Sequence, residues 1–133
     1  MFYFAYGSNM CLRRMRSRCP DCKYLGAAFL RGYKVVPHLY ADLTKAKNKT
    51  AGGVLYHITE KDLAALDRFE GYPNIYTRKI LHVDFCGIEI DAITYIMTQA
   101  ARKRRAGLDY PDEYRRICSN GAKYAGIYDV FKQ

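Results

Sequence analysis

The chain begins with Phe2-Tyr3-Phe4-Ala5-Tyr6-Gly7-Ser8-Asn9, an apolar run that stops at a polar bend. The run predicts a buried strand over residues 2–6. A Gly-Ser-Asn bend after a buried strand leaves backbone N–H groups exposed, and exposed N–H groups can cradle an anion or an oxyanion. Taken alone, such a bend is more often an ordinary turn.

A second segment predicts a short helix that carries one carboxylate at its end. Thr59 and Asp62 have the spacing of a capping box, so the helix begins there. Gly71 has the place of a helix C′ residue, and Glu70 therefore lies on the last turn. Glu70 shares a face with Leu66, four residues earlier. The helix macrodipole disfavours an anion at this end, and an unfavourable site held by a fold is often a functional one.

The rest of the pattern predicts six or so strands, mostly antiparallel, and three or four short helices. The remaining strands are expected at 24–36 with a bend near Gly32, at 53–58, and in a hairpin formed by 76–85 and 88–97. The polar residues 42–52 predict a loop. Helices are expected from an Asn9 cap to about Arg18, from the segment Tyr110-Pro111-Asp112-Glu113 to about Asn120, and, after a break at Gly121, over 122–131. This pattern indicates an α+β domain, with a small barrel as one solution.

The composition limits the possible classes of protein. With 133 residues, half of them hydrophobic, residues 1–133 are expected to form a single domain with a real core. The chain contains 13 tyrosines, which can line a pocket with apolar rings and polar tips. No stretch has the length of a signal peptide or a membrane span, so we expect no membrane partner.

The five cysteines indicate the cytoplasm, because an odd count without a leader does not suggest a disulfide framework. A zinc site is disfavoured, because the Cys-x-x-Cys formed by Cys19 and Cys22 has no second pair of ligands. His38 or Cys118 would join Cys11, Cys19 and Cys22 only through the fold. Free thiols are the favoured interpretation.

The net charge of +9 is concentrated in two basic runs, residues 13–18 and 102–105. Neither run has the interleaved aromatic residues of a nucleic-acid stacking surface, so nucleic-acid binding is disfavoured. A basic run is usually a solvated face. Two other uses stay open: binding to RNA or DNA, and recognition of an anionic leaving group by the same arginines.

The order of several motifs resembles the γ-glutamylcyclotransferase-like family over nearly the whole chain. The motifs are Phe4-Ala5-Tyr6-Gly7-Ser8-Asn9-Met10, Gly53-Val54-Leu55-Tyr56, Leu66-Asp67-x-x-Glu70-Gly71, Tyr76, Tyr95-Ile96-Met97, Tyr114 and Gly121-Ala122. The resemblance implies a closed, small mixed barrel, mostly antiparallel, with flanking short helices. It also implies cleavage of a γ-glutamyl amide to 5-oxoproline and a free amine, an acyltransferase- or lyase-type reaction without metal or cofactor.

The resemblance further implies roles for individual residues. Glu70 would be the acid/base, and the loop would line the glutamyl end of a small γ-glutamyl amine or peptide. The implied binding residues are Tyr6, Gly7, Ser8, Asn9, Tyr76, Tyr95 and Tyr114. Ser8 is not expected to act as a nucleophile, because none of the three histidines lies in a sequence context typical of a catalytic base. A binding module of the same fold without turnover stays the alternative, and a homodimer is one open assembly state.

Overall fold

A closed barrel of five strands forms the centre of the fold in the computed structural model, which describes residues 1–132. The last residue of the expected domain therefore lies outside the described residues. The strands are β1 (Phe2–Ala5), β2 (Lys23–His38), β3 (Tyr40–His57), β4 (Tyr76–Phe85) and β5 (Ile88–Met97). The helices are α1 (Leu12–Arg18), α2 (Glu60–Glu70), α3 (Gln99–Arg105) and α4 (Asp112–Ala125).

The strands follow the order β1-β3-β2-β4-β5, and β5 closes the barrel against β1. The contact between β1 and β5 is parallel, whereas the other four pairings are antiparallel. The predicted α+β fold, with a mixed and mostly antiparallel barrel, is confirmed. Its strand count is five rather than about six.

The predicted hairpin is present with the predicted bounds. Pairing between β4 and β5 runs from Tyr76 with Met97 to Phe85 with Ile88. Both turn residues, Cys86 and Gly87, have positive φ angles. The sequence predicted this hairpin from a local pattern, because two runs of alternating apolar and polar residues flank a short turn.

The predicted loop at residues 42–52 is wrong, because these residues belong to β3. Residues 42–45 pair with residues 33–36 of β2, and residues 50–52 pair with residues 29–31. The register shifts between these two sets, where Arg31 pairs with Thr50 and Tyr33 pairs with Lys45. Most side chains from 46 to 50 are exposed in this ribbon. A strand that buries little apolar surface has a polar sequence, so its composition is that of a loop.

The predicted break at Gly121 is also wrong, because α4 runs through it to Ala125 and Gly126 ends the helix with φ 75°. A Cβ at Gly121 would lie 2.8 Å from the backbone nitrogen of Cys11 and 2.8 Å from the carbonyl carbon of Met10. Glycine is therefore required here for close packing of α4 on the segment after β1. The expected helix over 122–131 is absent beyond Ala125.

The expected Asn9 cap is wrong too. Residues Ser8–Met10 form a 3₁₀ turn, and α1 begins at Leu12 after Cys11, which makes no side-chain cap bond. Asn9 is buried and its side chain points to other partners, described below.

The core fills the barrel and extends under the helices. Phe4, Val54, Leu55 and Tyr56 are fully buried between β1 and β3. Burial at this junction fixes the end of β1 from which the Gly-Ser-Asn turn begins. All five cysteines are free thiols. Within residues 1–132 no group of three or more His, Cys, Asp or Glu side chains is arranged to hold a metal ion.

Candidate active site

A cavity of about 330 Å³ opens where the end of β1, the start of β3 and the end of α2 come together. All eight residues expected at the site line it: Tyr6, Gly7, Ser8, Asn9, Glu70, Tyr76, Tyr95 and Tyr114. They come from segments far apart in the chain. The barrel therefore brings the polar bend and the helix-end carboxylate into one site.

Helix α2 is fixed at both ends, and this places Glu70 in the cavity wall. The capping box is complete, since Asp62 N donates to Thr59 Oγ1 at 3.1 Å and Thr59 N donates to Asp62 Oδ2 at 3.0 Å. Leu66 is fully buried and anchors the face that Glu70 shares. Gly71 ends the helix in the left-handed conformation, with φ 66°.

The carboxyl group of Glu70 is held in a partly desolvated position. Asn9 Nδ2 donates to Glu70 Oε1 at 3.4 Å. Burial raises the pKa of Glu70 from 4.5 to about 7, while the Arg18 guanidinium acts in the opposite direction. A carboxyl group with this pKa exchanges protons readily at neutral pH, as general acid–base catalysis requires.

Asn9 forms hydrogen bonds with three side chains besides Glu70. Its Nδ2 also donates to the Tyr3 hydroxyl at 3.1 Å, and Arg18 donates to its Oδ1 at 3.1 Å. The Tyr56 hydroxyl donates to its backbone oxygen at 2.7 Å. These contacts fix the turn that faces Glu70.

Gly7 lies where the cavity wall is tightest. A Cβ there would lie 2.9 Å from the Tyr114 hydroxyl and 3.1 Å from Ala41 Cβ. The Tyr114 hydroxyl accepts a hydrogen bond from Ala41 N at 3.0 Å, so it has little freedom to move aside. A side chain at Gly7 would therefore disturb the wall.

The first N–H groups of the 3₁₀ turn are not used in the turn's own hydrogen bonds. Met10 N donates to Gly7 O and Cys11 N donates to Ser8 O, each at 3.1 Å. The N–H groups of Gly7, Ser8 and Asn9 precede these donors and have no partner within the turn. They are the donors that a cradle for an anion or oxyanion needs.

Three cavity tyrosines already donate their protons to the protein. Tyr6 donates to the backbone oxygen of Tyr95 at 2.5 Å, and Tyr76 donates to that of Ala41 at 2.8 Å. The Tyr95 hydroxyl donates to Asp67 Oδ1 at 2.6 Å. Burial raises the pKa of Tyr6 and Tyr76, so both remain neutral. Their oxygens remain available as acceptors, while their rings shape the wall.

Several cavity residues were missed by the sequence analysis. Arg14 and Arg18 from the first basic run, and Arg105 from the second, line the cavity instead of a solvated face. Tyr3 and Tyr40 line it as well. The sequence contained one indication that Arg14 and Arg18 act together, because they are four residues apart and share a helix face.

The closed barrel and its cavity, in which one buried carboxyl group lies near the Gly7-Ser8-Asn9 turn, define the class of protein. The model of the family described as "Gamma-glutamyl cyclotransferase, AIG2-like" matches residues 3–116. The chain therefore belongs to this family, which confirms the resemblance seen in the sequence. No curated protein matches the chain closely enough to be counted as a relative.

Several solved structures share this fold. A gamma-glutamyl cyclotransferase is 24% identical, with a TM-score of 0.78, and the match covers 95% of this chain and 80% of that chain. YkqA from Bacillus subtilis is 26% identical, with a TM-score of 0.79 and coverage of 98% and 51%. An AIG2-like protein from Mus musculus is 22% identical, with a TM-score of 0.62 and coverage of 85% and 80%.

None of the helices in residues 1–132 is both long enough and apolar enough to span a bilayer.

Proposed function

We propose that this protein cleaves a γ-glutamyl amide by intramolecular cyclisation and releases 5-oxoproline and a free amine. The observation that carries the proposal is the position of Glu70, whose pKa of about 7 is set by burial in the same cavity as the Gly7-Ser8-Asn9 turn. Membership of the family supports the same reaction type.

The substrate supplies its own nucleophile in this reaction. Its α-amine attacks its δ-carbonyl carbon, and a C–N bond forms that closes a five-membered ring. Glu70 takes the proton that the amine loses. The bond between the δ-carbon and the leaving nitrogen then breaks, and Glu70 returns the proton to that nitrogen. Glu70 ends in its starting protonation state.

The cavity contributes position and electrostatics. Holding an amine against a carbonyl in one molecule is worth effective molarities on the order of 10⁵–10⁸ M. In this proposal the N–H groups of Gly7, Ser8 and Asn9 stabilise the oxyanion or hold the α-carboxylate.

Ser8 serves this proposal as part of the cradle, not as a nucleophile. Arg14 donates to its Oγ at 3.2 Å, and none of the three histidines in the chain lines the cavity. A serine hydroxyl without a neighbouring base is a weak nucleophile.

The proposal extends to the protein as a whole. We place the reaction in a single domain of residues 1–133, because one barrel and one core contain the described elements. The five free thiols favour a cytoplasmic setting. The proposed partner is a small γ-glutamyl amine or peptide.

A substrate panel tests the reaction. The protein is incubated with γ-glutamyl dipeptides, glutathione and γ-glutamylated aminoglycosides, and 5-oxoproline is measured by mass spectrometry. We expect release of 5-oxoproline, with the amine in equal amount, from at least one of them. Binding of these amides without any 5-oxoproline would overturn the proposal and favour a binding module.

A further inference from the structure

Three guanidinium groups line the cavity against a single carboxylate. Arg14, Arg18 and Arg105 contribute the positive charges, and Glu70 is the one acidic residue among the described lining residues. None of the three arginines forms an ion pair with a carboxylate in residues 1–132. Arg102, by contrast, pairs with the buried Asp42 at 2.6 Å, although it belongs to the same basic run as Arg105.

The hydrogen bonds that these arginines do make are to neutral groups. Arg14 donates to the Ser8 hydroxyl at 3.2 Å, and Arg105 donates to the Ala101 backbone oxygen at 3.3 Å. The Nε of Arg105 is buried and has no hydrogen-bond partner in the described part of the chain. The Arg105 side chain thus lines the cavity without a carboxylate partner, and a guanidinium in this state can bind an anion that arrives with a ligand.

Arg18 has a different position from the other two. It donates to Asn9, which contacts Glu70, and its guanidinium lies 4.5 Å from the centre of the Phe69 ring. Under the proposed function, Glu70 must reach the substrate α-amine, and the α-carboxylate is attached to the same carbon as that amine. We therefore assign Arg18, which is linked to Glu70 through Asn9, to the α-carboxylate.

The remaining charge is not balanced by the glutamyl group. When Glu70 takes the proton it becomes neutral, and the α-carboxylate then offsets only one of the three guanidiniums. Unbalanced charge in a cavity of low dielectric is costly, and a ligand that offsets it is bound preferentially.

We propose that the amine half of the substrate is an acidic amino acid, whose two carboxylates are bound by Arg14 and Arg105. This inference rests on the proposed function and specifies its substrate class. Arg14 and Arg105 are then specificity-determining residues, and they are not needed for the proton transfer itself. Guanidinium groups suit this role because they bind carboxylates through two parallel hydrogen bonds.

The test compares γ-glutamyl-glutamate with γ-glutamyl-glutamine, which have nearly the same shape and differ by one negative charge. We expect kcat/KM, measured as 5-oxoproline release, to be about 10- to 100-fold higher for γ-glutamyl-glutamate, as for one charge-assisted hydrogen-bonded pair. Equal values, or a preference for γ-glutamyl-glutamine, would overturn the proposal.

Single arginine substitutions in the two basic runs test which residues cause the preference for γ-glutamyl-glutamate. One of the two variants Arg14→Gln and Arg105→Gln removes the partner of the side-chain carboxylate, and this variant is expected to reduce the preference to within about threefold. The other variant removes the partner of the α-carboxylate, which both amides carry, and it should lower kcat/KM for both amides. Arg13→Gln and Arg104→Gln are the matched controls, because these arginines are exposed neighbours in the same helices, and the wild-type preference should persist in both. Arg14→Lys keeps the charge and should restore part of the preference. A preference that survives in both Arg14→Gln and Arg105→Gln would contradict the assignment.

A binding measurement tests this inference independently of the proposed reaction. Dissociation constants for the two amides are measured by calorimetry with Glu70→Gln, which keeps the arginines and lacks the acid/base. Tighter binding of γ-glutamyl-glutamate supports the charge assignment even if wild-type protein releases no 5-oxoproline, a result that would overturn the proposed function alone. Turnover with equal affinities and equal rates for the two amides would overturn the charge assignment alone.

Discussion

Helix α2 carries a glutamate at each end, and the two ends have opposite properties. Glu60 is exposed in the first turn, beside the capping box, where the helix dipole favours a negative charge. Glu70 lies in the last turn, where the dipole opposes a negative charge and burial raises its pKa to about 7. The comparison indicates that the first end stabilises the helix, whereas the last end holds a carboxyl group whose charged form is disfavoured by burial and by the helix dipole.

The largest expected effect is on turnover. Glu70→Gln should lower kcat/KM for 5-oxoproline release by roughly 10²- to 10⁴-fold, because the amide can neither take nor return the proton. Glu60→Gln, the matched change at the other end of the helix, should stay within about twofold of wild type. Similar rates for the two variants would remove Glu70 from the mechanism.

The next effect is a pH dependence that belongs to the last end of the helix alone. Protonated Glu70 cannot accept a proton, so kcat/KM should fall about tenfold per pH unit below pH 7. Arg18 lowers the pKa of Glu70, and Arg18→Gln should therefore move this limb to higher pH.

Rates measured across pH 5–9 check this expectation, with Arg13→Gln as the control that leaves the limb in place. A midpoint near 4.5, the ordinary value for a glutamate, would contradict the environment described for Glu70.

A smaller effect concerns stability. The pKa of Glu70 is higher in the folded state, about 7, than its ordinary value of 4.5, so folding is linked to proton binding and the free energy of unfolding falls as pH rises through this window. Glu70→Gln removes the ionisation and should be more stable than wild type above pH 7, by roughly 1–3 kcal/mol. Glu60→Gln should show no such gain.

Urea unfolding at pH 5 and pH 8 measures this difference. The gain should be clearly larger at pH 8, and a Glu70→Gln variant that is less stable than wild type at pH 8 would argue against a strained carboxylate.

The smallest expected effect is at the first end of the helix. Thr59→Ala removes the acceptor of the capping bond from Asp62 and should cost about 1 kcal/mol in the free energy of unfolding. kcat/KM should be unchanged at a temperature where the variant is folded. Thr50→Ala, at an exposed position of β3, is the control for loss of a threonine. A large loss of turnover in Thr59→Ala would contradict the assignment of helix stability to the first end of α2 and of turnover to the last end.

The sequence predicted those elements whose signals are local. The capping box, the Gly71 terminus and the β4–β5 hairpin all depend on residues within one turn or one strand pair, and all three were confirmed. The motifs of the family likewise named all eight predicted residues that line the cavity. Their individual roles stay predictions.

The errors arose where a distant contact decides the structure. Residues 45–50 are mostly polar and exposed, yet the pairing of the flanking residues with β2 makes the whole of 42–52 part of a strand. Gly121 does not end α4, because its missing side chain lets the helix pack on the backbone of Met10 and Cys11. Asn9 does not cap a helix, because Arg18, Tyr3 and Glu70 compete for its side chain.

The sequence by itself determined the family, the barrel and the eight predicted residues that line the cavity, because these follow from short motifs in a fixed order. Only the tertiary structure decided the electrostatics of the cavity. Closure of the barrel buries Glu70 and raises its pKa, and it divides each basic run between the cavity and the solvent. Burial and charge balance are sums over residues distant in the chain, so no local pattern contains them.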